Sequence, residues 1–395
     1  MTARQAFEDR FSAILTELRT AGLLRQMRLP GGIDLVSNDY LGLARHPYLV
    51  EAMRTALVDL PAGSGGSRLL RGHHGIFERI EERLAAFSGA EAALLFGSGY
   101  AANIGLLQAV VSPDDLILSD ARNHASLIDG ARLTKANTVV YPHHDLHALA
   151  SALAQPRRGR AIVITESVFS MDGDLTPLRD VAEVAERLGA VLVVDEAHAT
   201  GLYGSRGSGC VEELGLRGQV LATIHTGGKS LGSGGAWVAA SRALCDVLVN
   251  RARSFIFSTA PLPLLAAALD AGLDMVEREP LRRREVHRKS ALLRRALMEQ
   301  HVHAGGESPI VPIIAGSNEA AVALQSSLMA AGFDVRAIRP PSVAAGTARL
   351  RVTVRYPVDD GDLHRFASEV GRLMADQGLG IGDWGLETKS LLPNP

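Results

Sequence analysis

The chain is expected to be an α/β protein, with a mainly parallel seven-stranded sheet covered by helices on both faces and a smaller C-terminal α+β unit. Three observations predict this. From about residue 75 to 245, short β-branched runs alternate with amphipathic helical stretches, the pattern of successive βαβ units. Beyond residue 300 the pattern resumes as strand, helix, strand, helix. The length of 395 residues, with 47% hydrophobic and 21% charged side chains, suits a folded globular protein with more than one core.

In chain order, MTARQAFEDRFSAILTELRT is charged and helically periodic and lacks the apolar run of a secretory signal. His73 to Ser88 is a helix with Ile76, Ile80, Leu84 and Phe87 on one stripe. The strands of the large sheet are Ala92 to Phe96, Asp115 to Leu118, Thr138 to Tyr141, Ala161 to Thr165, Val191 to Val194, Val220 to His225 and Ala236 to Ala240, with Leu178 to Leu188 among the helices between them. Pro261 to Gln300 reads as a long basic helical stretch leaving this domain, its cluster Arg282 to Arg284 a solvated face. The last unit reads as strand Ile310 to Ile314, helix Asn318 to Ala331, strand Arg349 to Val354 and helix Asp362 to Asp376. The expected division is an N-terminal arm (1–45), a large domain (46–275) and a small domain (276–395).

Lys and Arg total 41 against 43 Asp and Glu, a formal charge of −2, so nothing draws the chain to nucleic acid or an anionic membrane, and neither is an expected partner. Two cysteines, Cys210 and Cys245, make neither a disulfide framework nor a zinc site, and a reducing, cytoplasmic setting without a bound metal is expected. The most apolar stretch, Ser258 to Val276, carries Pro261, Pro263, Asp270 and Asp274, which do not suit a bilayer.

The stretch HTGGKSLGSGG (225–235) sets Lys229 among glycines. Read as a phosphate loop it fails, because the position that needs the first glycine holds Thr223. Asp195 to His198 spells the acidic box of a nucleotide-driven motor, but it precedes the lysine instead of following it. FGSGYAANIG (96–105) follows a strand and opens a helix, yet Ala102 replaces the third glycine of a dinucleotide turn, leaving a site for a single phosphate at the helix N-terminus.

A lysine that forms an imine with pyridoxal 5'-phosphate needs an acid facing the pyridine nitrogen, a phosphate cradle and a flat group over the ring. Asp195, at the end of an apolar strand where open α/β sheets bind ligands, is the acid. His198 is within reach of the cofactor phenolic oxygen, His124 can stack on the ring, and the backbone of Gly99 and Tyr100 with the Thr226 hydroxyl can cradle the phosphate. One complete helix-and-strand unit separates Asp195 from Lys229. Taken singly, the aspartate could be a helix cap and the histidines ordinary surface or core residues; the combination is what points to the cofactor.

The motifs SNDYLGL (37–43), GSGGSRLLRGHH (63–74), GSGYAAN (97–103), ESVFSMDGD (166–174), DEAHATGLYGSRGSG (195–209), TGGKSLGSGGA (226–236) and FSTAPLP (257–263), in this order, resemble the α-oxoamine synthases. The resemblance implies a fold type I pyridoxal-phosphate enzyme that condenses an amino acid with an acyl thioester and releases CO2. The segment 63–74 is most similar to the branch that joins L-alanine to a pimeloyl thioester, carried by coenzyme A or a carrier protein, in biotin biosynthesis. The sequence departs from the family at Gly227, where an aromatic residue is common, at Tyr100, where phenylalanine is frequent, and in VRYPVDDGDL (354–363).

The resemblance also implies roles. Lys229 would bind the cofactor and, once freed, remove the Cα proton, with His124, Asp195 and His198 the other catalytic residues. Arg349 would grip the amino-acid carboxylate, Arg351 being the weaker candidate; Asn38 and Ser170 would sit near the ring and Thr347 near the acyl channel. A homodimer with shared active sites is implied, with Ser258 or Thr259 serving the neighbour's phosphate site. Arg25 or Arg28 would meet the distal acyl carboxylate. The alternatives are a sibling using glycine, serine or another acyl thioester, an aminotransferase or lyase of the same fold, and a cofactor-binding regulator without turnover.

Overall fold

The computed structural model describes residues 1–377, so 378–395 of the expected small domain lie outside the described residues. After a two-residue strand β1 (Ile33–Asp34) come β2 (Ala92–Phe96), β3 (Leu116–Asp120), β4 (Asn137–Tyr141), β5 (Ala161–Glu166), β6 (Ala190–Asp195), β7 (Val220–Thr226) and β8 (Ala236–Ala240). These seven form one sheet in the order β2-β8-β7-β6-β5-β3-β4. All its pairings are parallel except those of β8, which is antiparallel to β2 and β7. The expected strands are present; β3 runs on from Leu118 to Asp120 because Ser119 and Asp120 keep their pairing with Val140 and Tyr141.

The continuous apolar character of these strands follows from burial on both faces. Ile162 and Ile164 of β5 pack with Val193 and Ile224 in one core, while Ala161 and Val163 pack with Leu192 and Val194 in the other. At the strand ends the composition turns polar. Glu166, Asp195 and Thr226 are the last residues of β5, β6 and β7, and Glu166 is in register with Asp195.

The second sheet is antiparallel, in the order β11 (Ala337–Ile338), β12 (Ala348–Thr353), β9 (Ile310–Gly316), and its core gathers Val311, Ile313, Leu350, Val352, Leu363 and Phe366. β1 pairs in parallel with β10 (Phe333–Asp334), which draws the segment 33–40 toward this unit. Arg355 then holds that segment: its guanidinium meets Asp34 at 2.6 Å and Asp39 at 3.1 Å, and it donates to the Asp39 carbonyl at 3.0 Å. Gly42 follows with φ +68°, and a Cβ there would lie 2.4 Å from Pro357 Cγ, so the SNDYLGL turn is seated against the small unit at a position only glycine fits.

The long basic stretch is two helices, Pro263–Arg278 and Pro280–Glu299, because Pro280 lacks the N–H that a continuous helix would use. The first buries Leu264, Leu269, Leu273 and Val276. The expectation of a solvated Arg282–Arg284 face is corrected. Arg282 donates to the Leu41 carbonyl at 3.1 Å, and Arg283 to the carbonyls of Val276 (3.1 Å) and Ser205 (2.7 Å), so both tie the second helix to neighbouring elements. The N-terminal helix Ala3–Thr20 buries none of its residues. Cys210 and Cys245 are free and buried, and no helix among the described residues is long and apolar enough to cross a membrane.

His143, just past β4, joins two carboxylates: Nδ1 lies 2.8 Å from Asp120 and Nε2 2.5 Å from Asp174. It thereby anchors the hairpin that carries residues 168–175. Burial lowers the imidazole pKa, but the two carboxylates outweigh it and leave it above the ordinary value, while His143 holds Asp174 below the usual carboxylate range against its own burial. A raised histidine stabilises below its unfolded pKa and loses that contribution as pH rises through the folded one. His143→Gln is therefore expected to destabilise by about 1.5–3 kcal/mol in mildly acidic solution. The difference from wild type should narrow on the alkaline side of neutrality, and denaturant melts across that range check it.

Candidate active site

Lys229, on the turn that connects β7 and β8, has its Nζ 2.8 Å from His198 Nε2. Burial and the nearby Arg351 lower its pKa to about 8, against the opposing pull of Asp195 and Glu166. A fraction of the amine is thus neutral near physiological pH, the form a nucleophile or base requires. The expected aromatic residue at 227 has no room here: a Cβ on Gly227 would be 2.2 Å from Leu269 Cδ2 and 2.6 Å from the Gly234 carbonyl, so Leu269 occupies that volume.

Asp195 accepts from Asn103 Nδ2 at 2.8 Å and from the Ala197 N–H at 2.9 Å. Asn103 also reaches Ser126 Oγ at 2.8 Å, and that hydroxyl lies 2.7 Å from His124 Nδ1. Aspartate and stacking histidine are therefore fixed by one chain of hydrogen bonds. Glu166, missed in the sequence, is buried beside Asp195 and accepts the His124 N–H at 2.6 Å. Burial, then the charge of Asp195, pushes its carboxyl well above the usual carboxylate range. His198 is forced well below its ordinary value by burial and then by Lys229, and it is a neutral imidazole.

The phosphate end is equally specific. Ser98 caps the helix Gly99–Val110 by accepting the Ala101 N–H at 3.2 Å, while the N–H groups of Gly99 and Tyr100 have no partner among the described residues. A Cβ at Gly97 or Gly99 would meet nothing within 4 Å, so the backbone there faces open space. Unpaired donors at a helix N-terminus suit a phosphate. Thr226 Oγ1 accepts the Gly228 N–H and donates to the Gly235 carbonyl, both at 3.2 Å. The Tyr100 hydroxyl bonds Asp129, which orients its ring edge-on to that of His124. The imidazole of His124 is exposed to solvent, as a stacking surface for a planar group must be. Lysine, acid, exposed imidazole and unpaired donors together fit pyridoxal 5'-phosphate.

The two candidate arginines have different partners. Arg349 forms an ion pair with Asp172 and donates to the Thr347 carbonyl at 3.0 Å, so a carboxylate already neutralises its charge. Arg351, two residues on along β12, donates to Asn38 Oδ1 at 3.0 Å and to the Ser170 carbonyl, and its charge is felt by Lys229, His198 and Tyr40. The structure thus groups Asn38 and Ser170 with Arg351. Tyr40, whose hydroxyl is 2.7 Å from His198 Nδ1, completes the cluster and was not singled out from the sequence.

Other expected residues lie apart. Ser258 and Thr259 are exposed, and among the described residues the Ser258 hydroxyl reaches only the Thr259 carbonyl. Arg25 bonds Ser342 at 3.3 Å, and Thr347 bonds the Ala344 carbonyl at 2.8 Å, which places both against the loop that leads into β12.

With this geometry in hand, comparison with known proteins gives a consistent result. The family described as aminotransferase class I and II matches residues 30–370. An 8-amino-7-oxononanoate synthase of Geobacter sulfurreducens is 44% identical over 383 residues, 92% of this chain and 98% of that protein. One from Mycobacterium sp. (strain JLS) is 45% identical, covering 89% of this chain and 92% of its own length. Among solved structures, Sphingomonas wittichii serine palmitoyltransferase superposes with a TM-score of 0.88 at 26% identity, over 96% of this chain and 100% of that one. The 8-amino-7-oxononanoate synthase of Francisella tularensis superposes with a TM-score of 0.78 at 25% identity, over 88% of this chain and 99% of that one.

Proposed function

The chain belongs to the aminotransferase class I and II family and, within it, to the α-oxoamine synthases, and from that premise we propose that it condenses L-alanine with a pimeloyl thioester. The products are 8-amino-7-oxononanoate, CO2 and the free thiol, a step of biotin biosynthesis. The observation that carries the chemistry is the buried Lys229 amine, lowered to about 8 and held at 2.8 Å from His198 beside Asp195. The choice of alanine and pimeloyl groups is supported by relatives at 44–45% identity. Shape alone does not separate the siblings, since the serine palmitoyltransferase shares the fold at 26% identity.

Pyridoxal 5'-phosphate, when bound, supplies an electron-accepting ring that stabilises negative charge at the amino-acid Cα. The N–H groups of Gly99 and Tyr100 and the Thr226 hydroxyl would hold its phosphate, Asp195 would face the ring nitrogen, and His124, His198 and Ser170 would contact the ring. Lys229 is the base that removes the Cα proton, and its neutral fraction sets how readily it does so. Arg351, with Asn38, takes the substrate carboxylate in the planar geometry a guanidinium allows. Arg349 positions the hairpin through Asp172 and does not contact substrate. Arg25 and Thr347 border the path of the acyl chain.

A second copy of the chain completes the site. The N-terminal helix exposes Phe7, Phe11, Ile14 and Leu15 at helical spacing, and Phe257 beside Ser258 and Thr259 is 73% exposed. Such apolar surface supports a homodimer in which Ser258 or Thr259 reaches the neighbour's phosphate site.

The test is product formation from L-alanine, glycine and L-serine, each with pimeloyl-CoA, a pimeloyl carrier protein and palmitoyl-CoA. Alanine with a pimeloyl thioester is expected to give the highest kcat/KM; preference for serine and palmitoyl-CoA would move the chain to the sibling activity. The arginine assignment has its own check. Arg351→Ala is expected to lower kcat/KM for alanine by about 10²-fold, as loss of a buried charged anchor does. Arg349→Ala should leave the alanine KM near wild type and lower the melting temperature.

A further inference from the structure

We infer that Tyr40 lets the proton of His198 change ring nitrogens as Lys229 changes charge, making Tyr40 a positioning residue of the reaction. The inference rests on Lys229 being the reactive amine, as proposed above.

The Tyr40 side chain is wholly buried, with its hydroxyl 2.7 Å from His198 Nδ1 and 3.4 Å from Asn38 Oδ1. Across the imidazole, Nε2 is 2.8 Å from Lys229 Nζ. A neutral imidazole has one N–H and one lone pair, so the bonds on its two sides constrain each other. When Lys229 is an ammonium it can only donate. Nε2 must then accept, the imidazole proton resides on Nδ1, and Nδ1–H donates to the Tyr40 oxygen while the phenol hydrogen turns toward Asn38. When Lys229 is a free amine its lone pair accepts; Nε2–H donates to it, and the Tyr40 O–H donates to Nδ1. Both arrangements need a group on Nδ1 that can donate and accept, and the phenol does both.

The surroundings keep the three groups in these forms. Burial pushes the Tyr40 pKa up to about 12 despite the opposing charge of Arg351, so the phenol keeps its hydrogen. His198 faces Lys229, Arg351 and His124, all of which act with burial to keep it neutral. Lys229 faces Asp195, Glu166 and Arg351, and it is the one of the three that changes charge near neutrality. Asn38 Oδ1 also accepts from Arg351 at 3.0 Å, so the phenol adjoins the proposed carboxylate anchor as well as the lysine pair.

A phenylalanine at position 40 removes the partner of Nδ1 in both arrangements, but unequally. With Lys229 charged, a buried N–H is left unpaired; with Lys229 neutral, only a lone pair is, and orphaned N–H groups are the rarer case in proteins. Tyr40→Phe therefore favours the neutral amine.

The experiment uses the full-length, cofactor-free protein labelled with ¹⁵N-histidine, the His198 signal being assigned with His198→Gln. In wild type the imidazole proton is expected on Nδ1 below the Lys229 midpoint and on Nε2 above it. In Tyr40→Phe the Nε2–H form is expected to persist to lower pH. The midpoint for labelling Lys229 with an amine-reactive reagent, read by peptide mass spectrometry, is expected to fall by at least about half a unit, a threefold change in the proton equilibrium. A His198 tautomer that stays fixed while wild-type Lys229 titrates overturns the inference, and this reading stands even if Tyr40→Phe does not fold. A Tyr40→Phe protein with a lower melting temperature but wild-type tautomers and labelling midpoint also overturns it, leaving Tyr40 a packing residue. Failure of the Lys229 reading is distinguishable, because Lys229→Ala would then still bind pyridoxal 5'-phosphate covalently.

Discussion

Lys229→Ala is expected to lose turnover by at least about 10⁴-fold, because the substitution removes both the covalent attachment point and the base. Added pyridoxal 5'-phosphate should give wild type a visible absorption that this variant lacks, and borohydride reduction should mark the peptide containing Lys229 in wild type alone. The size of the loss follows from the surroundings. The amine is lowered to about 8 chiefly by burial, so the wild-type rate of cofactor attachment should rise with pH around that value as the neutral form grows. A small amine added to the solution has neither His198 at 2.8 Å nor the exclusion of water, and should restore only a small part of the rate. Retained turnover in Lys229→Ala, or a marked peptide elsewhere, would remove the basis of the proposed chemistry. The fold should survive, because a side chain whose charge is opposed by burial contributes little to stability through that charge.

The sheet and the candidate lysine were legible in the sequence for related reasons. A strand buried on both faces shows an apolar run that ends abruptly in a polar residue, as at Val194 to Asp195, and that junction marks both the strand end and the ligand edge. Glycine at 227 has a packing reason as well, since a Cβ there would meet Leu269. The arginines were not separable in this way. Arg349 and Arg351 alternate onto one face of β12, and periodicity identifies the face without saying which residue lies opposite the lysine. The deciding contact, Asp172 on Arg349, comes from a hairpin far away in the chain. Glu166 and Tyr40 were missed for a different reason: a polar group closing an apolar run, as Glu166 does, or one aromatic in a polar turn, as Tyr40 is, can be a cap, a surface group or a buried partner, and only the register of β5 on β6 and the fold of the 33–40 segment reveal which. The break at Pro280 was visible in principle, since a proline inside a helical pattern ends it, but the surrounding charge periodicity continues across it.

Asp195→Asn is expected to keep the fold and lower kcat by about 10²–10³-fold or more, the scale of losing one preorganised charged partner. The argument turns on Asn103. In wild type its amide nitrogen donates to Asp195 and Ser126, while its Oδ1 is buried without a hydrogen-bond partner. An asparagine at 195 can keep its oxygen toward the Ala197 N–H and present its own NH2 to Asn103. Rotation of the Asn103 amide then turns its oxygen to accept that donor and the Ser126 hydroxyl, but puts its NH2 where Oδ1 had no partner, so the fold should survive with a stability lowered by about 1–3 kcal/mol. What the variant cannot do is hold a proton on the ring nitrogen with a negative charge. Glu166 does not replace it, because its Oε1 is committed to accepting the His124 N–H at 2.6 Å. With the charge of Asp195 gone, Glu166 should ionise at lower pH than in wild type, since Asp195 is the second largest cause of its elevation. Pre-steady-state kinetics with L-alanine and thermal melts of the same preparation separate these effects. Near-normal kcat in a well-folded Asp195→Asn protein would show that the charge at this position is not used, whereas a slow enzyme with a modestly lowered melting temperature is the result the hydrogen-bond network predicts.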